Sequence, residues 1–293
     1  GKNIEKTENQ DYEKLRDALN DRDINIIKAM LALGISPDKK IDGNTNLMIA
    51  SQRGDFELVK LFGDNFCDPN SVNNEGENCF WLAAWNEKFE VASLLHQTYK
   101  ANPDILSNEG QNILQKSFRE KKENVFQYLL DEGASPNVKN SKGLSLLFIL
   151  FIHKEDDLAE MIQDKYNGDI NTKKESGVSL GHYYVVKDDP DRVEYLLNRG
   201  LDVNIKDDKN QSLLIYAMKF SFKKRTWQIL IENKVNIDDQ DIEGNTPFYL
   251  ICEDPNFSKE KFKFLLDNNC NINKQNNARD FPLSCLIRRK RNE

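Results

Sequence analysis

Few residues in this chain of 293 have the types and spacing that catalytic chemistry requires. The candidates for acid–base work are His182 and the carboxylate pairs Asp156-Asp157 and Asp188-Asp189. Both pairs fall where helices are predicted to begin, so charges solvated in a first helical turn are their expected role. No nucleotide-binding loop, nucleophile elbow or H-E-x-x-H zinc motif occurs. The sequence therefore predicts no catalytic residue and no enzyme activity.

The cysteines favour neither a disulfide framework nor a metal site. Their number is odd and none lies in C-x-x-C spacing: Cys67, Cys79, Cys252, Cys270 and Cys285. With only three histidines in the chain, no Cys/His zinc spacing can be assembled. Cys79 falls on the first turn of a predicted buried helix, which favours inert packing over a nucleophilic role. We expect no metal, no cofactor and a reducing compartment, the cytoplasm.

The charge and hydropathy of the chain indicate which classes of partner it is not expected to bind. The 41 basic and 48 acidic residues give a net charge of −7, which disfavours general nucleic-acid binding. No signal peptide is visible, and the longest apolar run, Leu144 to Ile152, is about half of a membrane span. The basic run from Arg288 to Arg291 is either a targeting or phospholipid patch or, as we favour, a solvated helix face. We expect no nucleic acid, no small-molecule substrate and no transmembrane segment.

A repeat is the strongest signal in the chain. Turn-forming residues recur at Gly43, Gly76, Gly110, Gly143, Gly177, Asn210 and Gly244, with separations of 33, 34, 33, 34, 33 and 34. Glycine and asparagine tolerate positive φ, so this position predicts a tight turn. Two residues after each turn lies a residue that caps helices: Thr45, Asn78, Asn112, Ser145, Ser179, Ser212 or Thr246. Each unit is therefore predicted to contain a turn, a cap and a short apolar helix.

A second amphipathic helix follows in each unit, and here a family resemblance can be stated. Val91, Leu94 and Leu95 show the i, i+3, i+4 spacing that marks it. The segment Gly244-Asn245-Thr246-Pro247-Phe248 resembles the start of an ankyrin repeat, and residues 133–137 resemble its end. The resemblance implies an all-α solenoid of stacked helix–turn–helix units with short hairpin-like turns. It also implies that His182, in the family's histidine position, has a structural role rather than a ligand or general-base role.

The repeat period predicts the domain organisation. Residues 1–10 are expected to be disordered or tag-derived, and residues 11–38 to form an N-terminal capping helix pair with a polar outer face. Seven repeats are expected at residues 39–70, 71–104, 105–137, 138–171, 172–204, 205–238 and 239–273, and a partial repeat at residues 274–293. That partial unit would leave apolar surface uncovered, so we expect the natural protein to continue or another chain to cover it. A monomer is expected, with association through the open C-terminal repeat as the alternative.

A partner is expected on the concave face that the turn tips and first helices form in ankyrin proteins. Positions on that face that vary in the family, mapped by counting from each turn, are Trp85, Arg119, Leu144, Ile152, Val178, Val186, Phe220 and Ile242. Apolar residues at solvent-facing positions mark interaction sites. The alternative is that some of them pack against their own repeats, and for Trp85 the two interpretations are equally favoured. The longer turn from Phe220 to Arg225 is either a recognition loop or, as we favour, a tolerated insertion.

Two functions follow from this pattern. The first is a non-catalytic protein–protein interaction module, a scaffold or adaptor. The second is the substrate-recruiting arm of a larger enzyme, such as a kinase or a palmitoyltransferase, whose catalytic domain lies outside this chain. The identity of the partner cannot be predicted, because the fold hosts many functions.

Overall fold

The computed structural model describes residues 2–290 and the side chains of residues 10–288. Within that range the protein is all-helical, without β-strands, and only isolated bridges such as Lys206 to Ser212 occur. Two compact units divide the chain, Gly1–Ser141 and Lys142–Glu293. No helix in the described range is long and apolar enough to cross a membrane.

Helices in both units come in pairs joined by short turns. The first unit contains α1 (Lys2–Asn20), α2 (Ile24–Ala32), α3 (Asn46–Arg53), α4 (Phe56–Asp64), α5 (Cys79–Trp85), α6 (Phe89–Gln97), α7 (Ile113–Arg119) and α8 (Glu123–Asp131). The second contains α9 (Leu146–His153), α10 (Asp156–Tyr166), α11 (Leu180–Val186), α12 (Pro190–Asn198), α13 (Leu213–Phe220), α14 (Lys224–Glu232), α15 (Pro247–Glu253), α16 (Lys259–Asp267) and α17 (Pro282–Lys290), with a 3₁₀ turn at Glu175–Gly177. Each predicted repeat holds one helix pair, while the boundaries between repeats stay a prediction.

The start of the chain differs from the expectation of disorder at residues 1–10. The backbone is helical from Lys2, as the first part of α1. Residue 1 and the side chains of residues 1–9 lie outside the described residues. Helix α1 extends over this segment because its residues include no proline or glycine that would end it.

All seven predicted capping residues accept a hydrogen bond from the backbone N–H three residues later. The Thr246 hydroxyl, for example, accepts from the Tyr249 amide at 3.1 Å. Each cap satisfies one of the amides that a helix start leaves without a partner. The capped helices also supply much of the core, in which side chains such as Trp81, Phe148 and Phe248 are buried.

The turn residues all adopt positive φ, and their turns bond to one another. In the second unit, the Ile242 amide donates to the Lys209 carbonyl at 2.9 Å, and Asn277 donates to Glu243 at 3.0 Å. Asp208 donates in the same way to the Ser176 carbonyl at 3.1 Å. Backbone groups in these turns therefore obtain their partners from the neighbouring repeat.

A second ladder joins the ends of the repeats. Six asparagine or aspartate side chains that close a helix pair accept a backbone N–H from the helix pair that follows in the same unit: Asp38, Asn70, Asp104, Asn171, Asn204 and Asp238. Asn204 accepts from the Asn236 amide at 2.8 Å, and Asp238 accepts from the Asn271 amide at 2.8 Å. In the first unit, Asn70 accepts from the Asn102 amide at 2.7 Å. The asparagine or aspartate at the end of each of these helix pairs thus ties that pair to the next one.

Alanine substitutions at two glycines with positive φ distinguish the free-energy cost of the left-handed backbone conformation from the cost of steric overlap. Alanine at Gly200 meets no atom within 4 Å, whereas a Cβ at Gly177 would overlap the backbone nitrogen of Asp208 in the next turn. Gly200→Ala is expected to lower the free energy of unfolding by roughly 1–2 kcal/mol, the cost of a left-handed alanine. Gly177→Ala is expected to cost clearly more, because the turns must also separate. Urea unfolding of both variants checks this; equal losses would contradict it.

Candidate functional site

His182 has the structural environment that the resemblance implies. It is fully buried, its Nδ1 accepts from the Ser179 amide at 3.2 Å, and its Nε2 donates to the Gln211 carbonyl at 3.0 Å. These bonds fix the tautomer with the proton on Nε2. Burial lowers the pKa of the imidazole, and the Gln211 carbonyl partly opposes that effect. His182 therefore joins two successive repeats.

The carboxylate pairs form helix caps, ion pairs and turn contacts. Asp189 caps α12 by accepting from the Arg192 amide at 3.1 Å, and the Arg192 guanidinium pairs with Asp156 at 2.6 Å. Asp188 differs from the expected solvated charge, because its oxygens accept hydrogen bonds from the turn after α13. None of these contacts positions a carboxylate for acid–base chemistry.

Two of the buried thiols, those of Cys79 and Cys252, lie in environments that suppress reactivity. Burial raises the pKa of Cys79 to about 12, and its sulfur donates to the Pro69 carbonyl at 3.1 Å. Burial likewise raises the pKa of Cys252 to about 12. Across the described residues, no three His, Cys, Asp or Glu side chains form a group suited to a metal ion.

In the first unit, the two predicted contact residues have partners of their own. The Trp85 indole is half-buried, with the amines of Lys116 and Lys122 at 4.8 and 4.3 Å from its ring centre. Lys122 also donates to the Trp85 carbonyl at 3.0 Å. The Arg119 side chain is exposed and pairs with Glu120 at 3.1 Å. A partner contact at either residue stays a prediction, and at Trp85 it would have to displace two lysines.

In the second unit, the six predicted contact residues divide by exposure. Leu144, Ile152 and Val178 are half-buried. Val186, Phe220 and Ile242 are 47%, 45% and 65% exposed, respectively. The Phe220 ring packs edge-on against Tyr216, with ring centres 5.5 Å apart. The exposed members, rather than all six, are the residues available to a partner.

A side chain that the sequence analysis did not select, Phe222, is the most exposed aromatic of the second unit, at 82%. It lies with Phe220 in residues 220–224, which comprise the last residue of α13, the turn and the first residue of α14, and which we call the phenylalanine loop. The sequence signal was the pair of phenylalanines two residues apart beside lysines. The expectation of a longer turn here is wrong, because only residues 221–223 separate α13 from α14, as many as separate α5 from α6 and α11 from α12. From the sequence, this segment was identified as a turn, but a tolerated insertion was favoured over a loop that binds a partner.

Asp188 holds the phenylalanine loop in place. Its carboxylate accepts from the Ser221 hydroxyl, from the Phe222 amide at 3.2 Å and from the Lys223 amide at 3.3 Å. Burial alone would raise the pKa of Asp188, but these hydrogen bonds outweigh it and lower the pKa. Because Asp188 follows α11 directly, the bonds also bring the end of α11, with Val186, beside the loop.

Lys261 of α16 supports the loop from the other side. Its side chain is only 6% exposed, and its amine donates to the Met218 carbonyl at 2.7 Å. The amine lies 5.3 Å from the Phe222 ring centre and 5.7 Å from that of Trp227. Burial lowers the pKa of this amine, while the charges of Asp254 and Asp188 oppose the effect. The loop is therefore held by hydrogen bonds to Asp188 from one flanking helix pair and by the Lys261 amine beside the Phe222 ring from the other, yet it presents two phenylalanines to solvent.

Other apolar side chains are exposed elsewhere. The helix pair α1–α2, expected to have a polar outer face, carries exposed Ile26 and Leu33 in a groove whose rim includes Asp17 and Asp21. On α17, Ile287 is exposed. In the first unit, Phe66 is 94% exposed. The phenylalanine loop is the strongest candidate site because it combines two exposed aromatic residues with the hydrogen bonds to Asp188 that hold their backbone.

Comparison with known proteins assigns these repeated helix pairs to a family. The family model for ankyrin repeats, in three copies, matches residues 15–105, 47–140 and 182–276. The chain therefore belongs to the ankyrin-repeat family, whose repeats are protein–protein interaction modules and generally non-catalytic. The ankyrin-solenoid fold class predicted from the sequence is confirmed.

Individual relatives are distant. Alpha-latrocrustotoxin-Lt1a of Latrodectus tredecimguttatus is 25% identical over 179 residues, which cover 56% of this chain and 12% of the toxin. Ankyrin repeat protein L86 of Acanthamoeba polyphaga mimivirus is 26% identical, over 59% of this chain and 35% of that protein. The chain thus spans about a third of that relative or less. The solved ankyrin repeat domain of Bcl-3 shares the fold, with a TM-score of 0.51, 21% identity, and coverage of 78% of this chain and all of that domain (100%).

The buried imidazole predicts a pH dependence. The pKa of His182 in the folded chain lies below the unfolded value of 6.5, so the unfolded chain binds the proton first as pH falls. Stability from this group is present above the unfolded pKa and is lost on acidification. His182→Gln should be less stable at neutral pH but lose less stability towards pH ~5 than the wild type does. Urea unfolding across this range checks it, with His153→Gln as control. An equal pH dependence in His182→Gln and the wild type would contradict the assignment.

Proposed function

We propose that this chain is a non-catalytic protein-interaction module, a scaffold or adaptor, that binds its partner through the second unit. The proposed contact surface is the phenylalanine loop, at the end of α13, with Val186. Ile242, at the turn tip that bonds to Lys209 before the start of α13, is a further proposed contact residue. The proposal includes a monomeric protein in a reducing, cytoplasmic compartment, without a nucleic-acid or small-molecule ligand.

The exposure of Phe220 and Phe222 on a hydrogen-bonded loop is the observation that carries this proposal. Exposed aromatic side chains are unfavourable in water, and aromatic anchors supply much of the binding energy in protein interfaces. A loop that is already ordered also loses less conformational entropy when a partner binds. Both properties are those of a pre-organised interaction surface.

The alternative, a substrate-recruiting arm of a larger enzyme, is favoured by a different observation. The curated relatives that match this chain are several times longer than the matched part. The intact mass of the natural protein distinguishes the two: a mass near the 34.0 kDa of this chain would reject the enzyme arm.

Removing the two aromatic rings tests the proposed surface. Phe220→Ser with Phe222→Ser should abolish retention of proteins from a lysate of the source cells on the immobilised chain. The free energy of unfolding should fall by about 1–2 kcal/mol, because Phe222 is 82% exposed whereas Phe220 loses its packing against Tyr216. Leu106→Ser, which removes a comparably exposed side chain in the first unit, is the matched control and should retain the same proteins. Retention of the same proteins by the double variant would reject this surface.

A further inference from the structure

Four lysines surround the phenylalanine loop and give the surface a charge opposite to that of the whole protein. Lys219, Lys223 and Lys224 are exposed within or beside the loop, and Lys187 is exposed beside Val186. The chain as a whole carries a net charge of −7. Such a local reversal of charge around an apolar centre is a feature of electrostatically steered interfaces.

None of these four amines takes part in an ion pair within the described part of the chain. The next basic residue, Arg225, behaves differently: it pairs with Asp191 at 3.1 Å and with Glu194 at 2.8 Å. The nearest carboxylate of the loop, Asp188, is occupied by hydrogen bonds from the loop backbone and from Ser221. The charge of Lys223 helps to lower the pKa of Asp188, and the Lys187 amine lies 5.6 Å from the Tyr183 ring centre. All four lysines are exposed, so their amines can also contact groups outside this chain.

The elements that carry the lysines are held close together. Asp188 directly follows Lys187 in the chain and bonds to the amides of Phe222 and Lys223. This contact places Lys187, the residue after α11, next to the loop that carries Lys223 and Lys224 and that begins directly after Lys219. A cationic rim thus borders the two exposed phenylalanines.

From this arrangement we infer that the partner segment is an acidic peptide that carries a bulky apolar side chain. The apolar side chain contacts Phe220 and Phe222, and carboxylates on either side contact the lysine rim. The inference rests on the proposed function, since it names the partner chemistry of the same surface. A nucleic acid would need a cationic stripe on a basic protein, which this acidic chain does not present.

Selection from a display library of short random peptides tests the inference, with the full chain as bait. Peptides retained by the wild type are expected to be enriched in aspartate and glutamate around an aromatic or leucine residue. Bait with Lys187→Glu, Lys219→Glu, Lys223→Glu and Lys224→Glu should retain peptides enriched in lysine and arginine instead. Circular dichroism of this charge-reversed variant confirms that it folds. Its affinity for the acidic peptides should fall about tenfold or more, and the wild-type affinity should fall as salt is raised.

The results of this selection distinguish failure of the acidic-peptide inference from failure of the proposed interaction surface on which it rests. Peptides without an acidic bias, bound by the wild type but not by Phe220→Ser with Phe222→Ser, would overturn the inference and leave the surface in place. Peptides bound equally by that double variant would reject the surface itself. Lysine-dependent binding of a single-stranded oligonucleotide or of phosphatidylserine vesicles, independent of the two phenylalanines, would also overturn the inference.

Discussion

Backbone hydrogen bonds between turns join successive repeats within each compact unit of this protein. An amide such as that of Ile242 has no partner in its own turn and donates instead to the carbonyl of Lys209 one repeat earlier. The approach is so close that Gly177 has no room for a side chain against Asp208. A single helix pair also cannot bury its own apolar face, so each repeat depends on its neighbours for both polar and apolar groups.

The candidate site is built by the same dependence on neighbours. The phenylalanine loop obtains its hydrogen-bond acceptor, Asp188, from the helix pair before it and its supporting amine, Lys261, from the helix pair after it. Three consecutive helix pairs thus fix one exposed loop. An ordered loop with apolar side chains in solvent is consistent with binding rather than with an inert connection.

Sequence reasoning succeeded where the determinants are local and periodic. The turn at Gly244 and the cap at Thr246 follow from residue type and position alone, and both are as predicted. The structural role of His182 followed from its place in the family pattern. Exposure was harder to predict, because it depends on side chains from other repeats: two lysines cover Trp85, and Phe222 projects from a loop whose support is encoded elsewhere in the chain.

Residue-resolved amide hydrogen exchange, measured by NMR on the native chain, tests the dependence on neighbours most directly. The amides of Asp208, Ile242, Phe222 and Lys223 lie in turns, but each donates to an acceptor in a preceding helix pair or turn. The structure predicts that they exchange slowly, with protection comparable to that of the flanking helices. Exchange at the rate of an unstructured loop at these four amides would contradict the account.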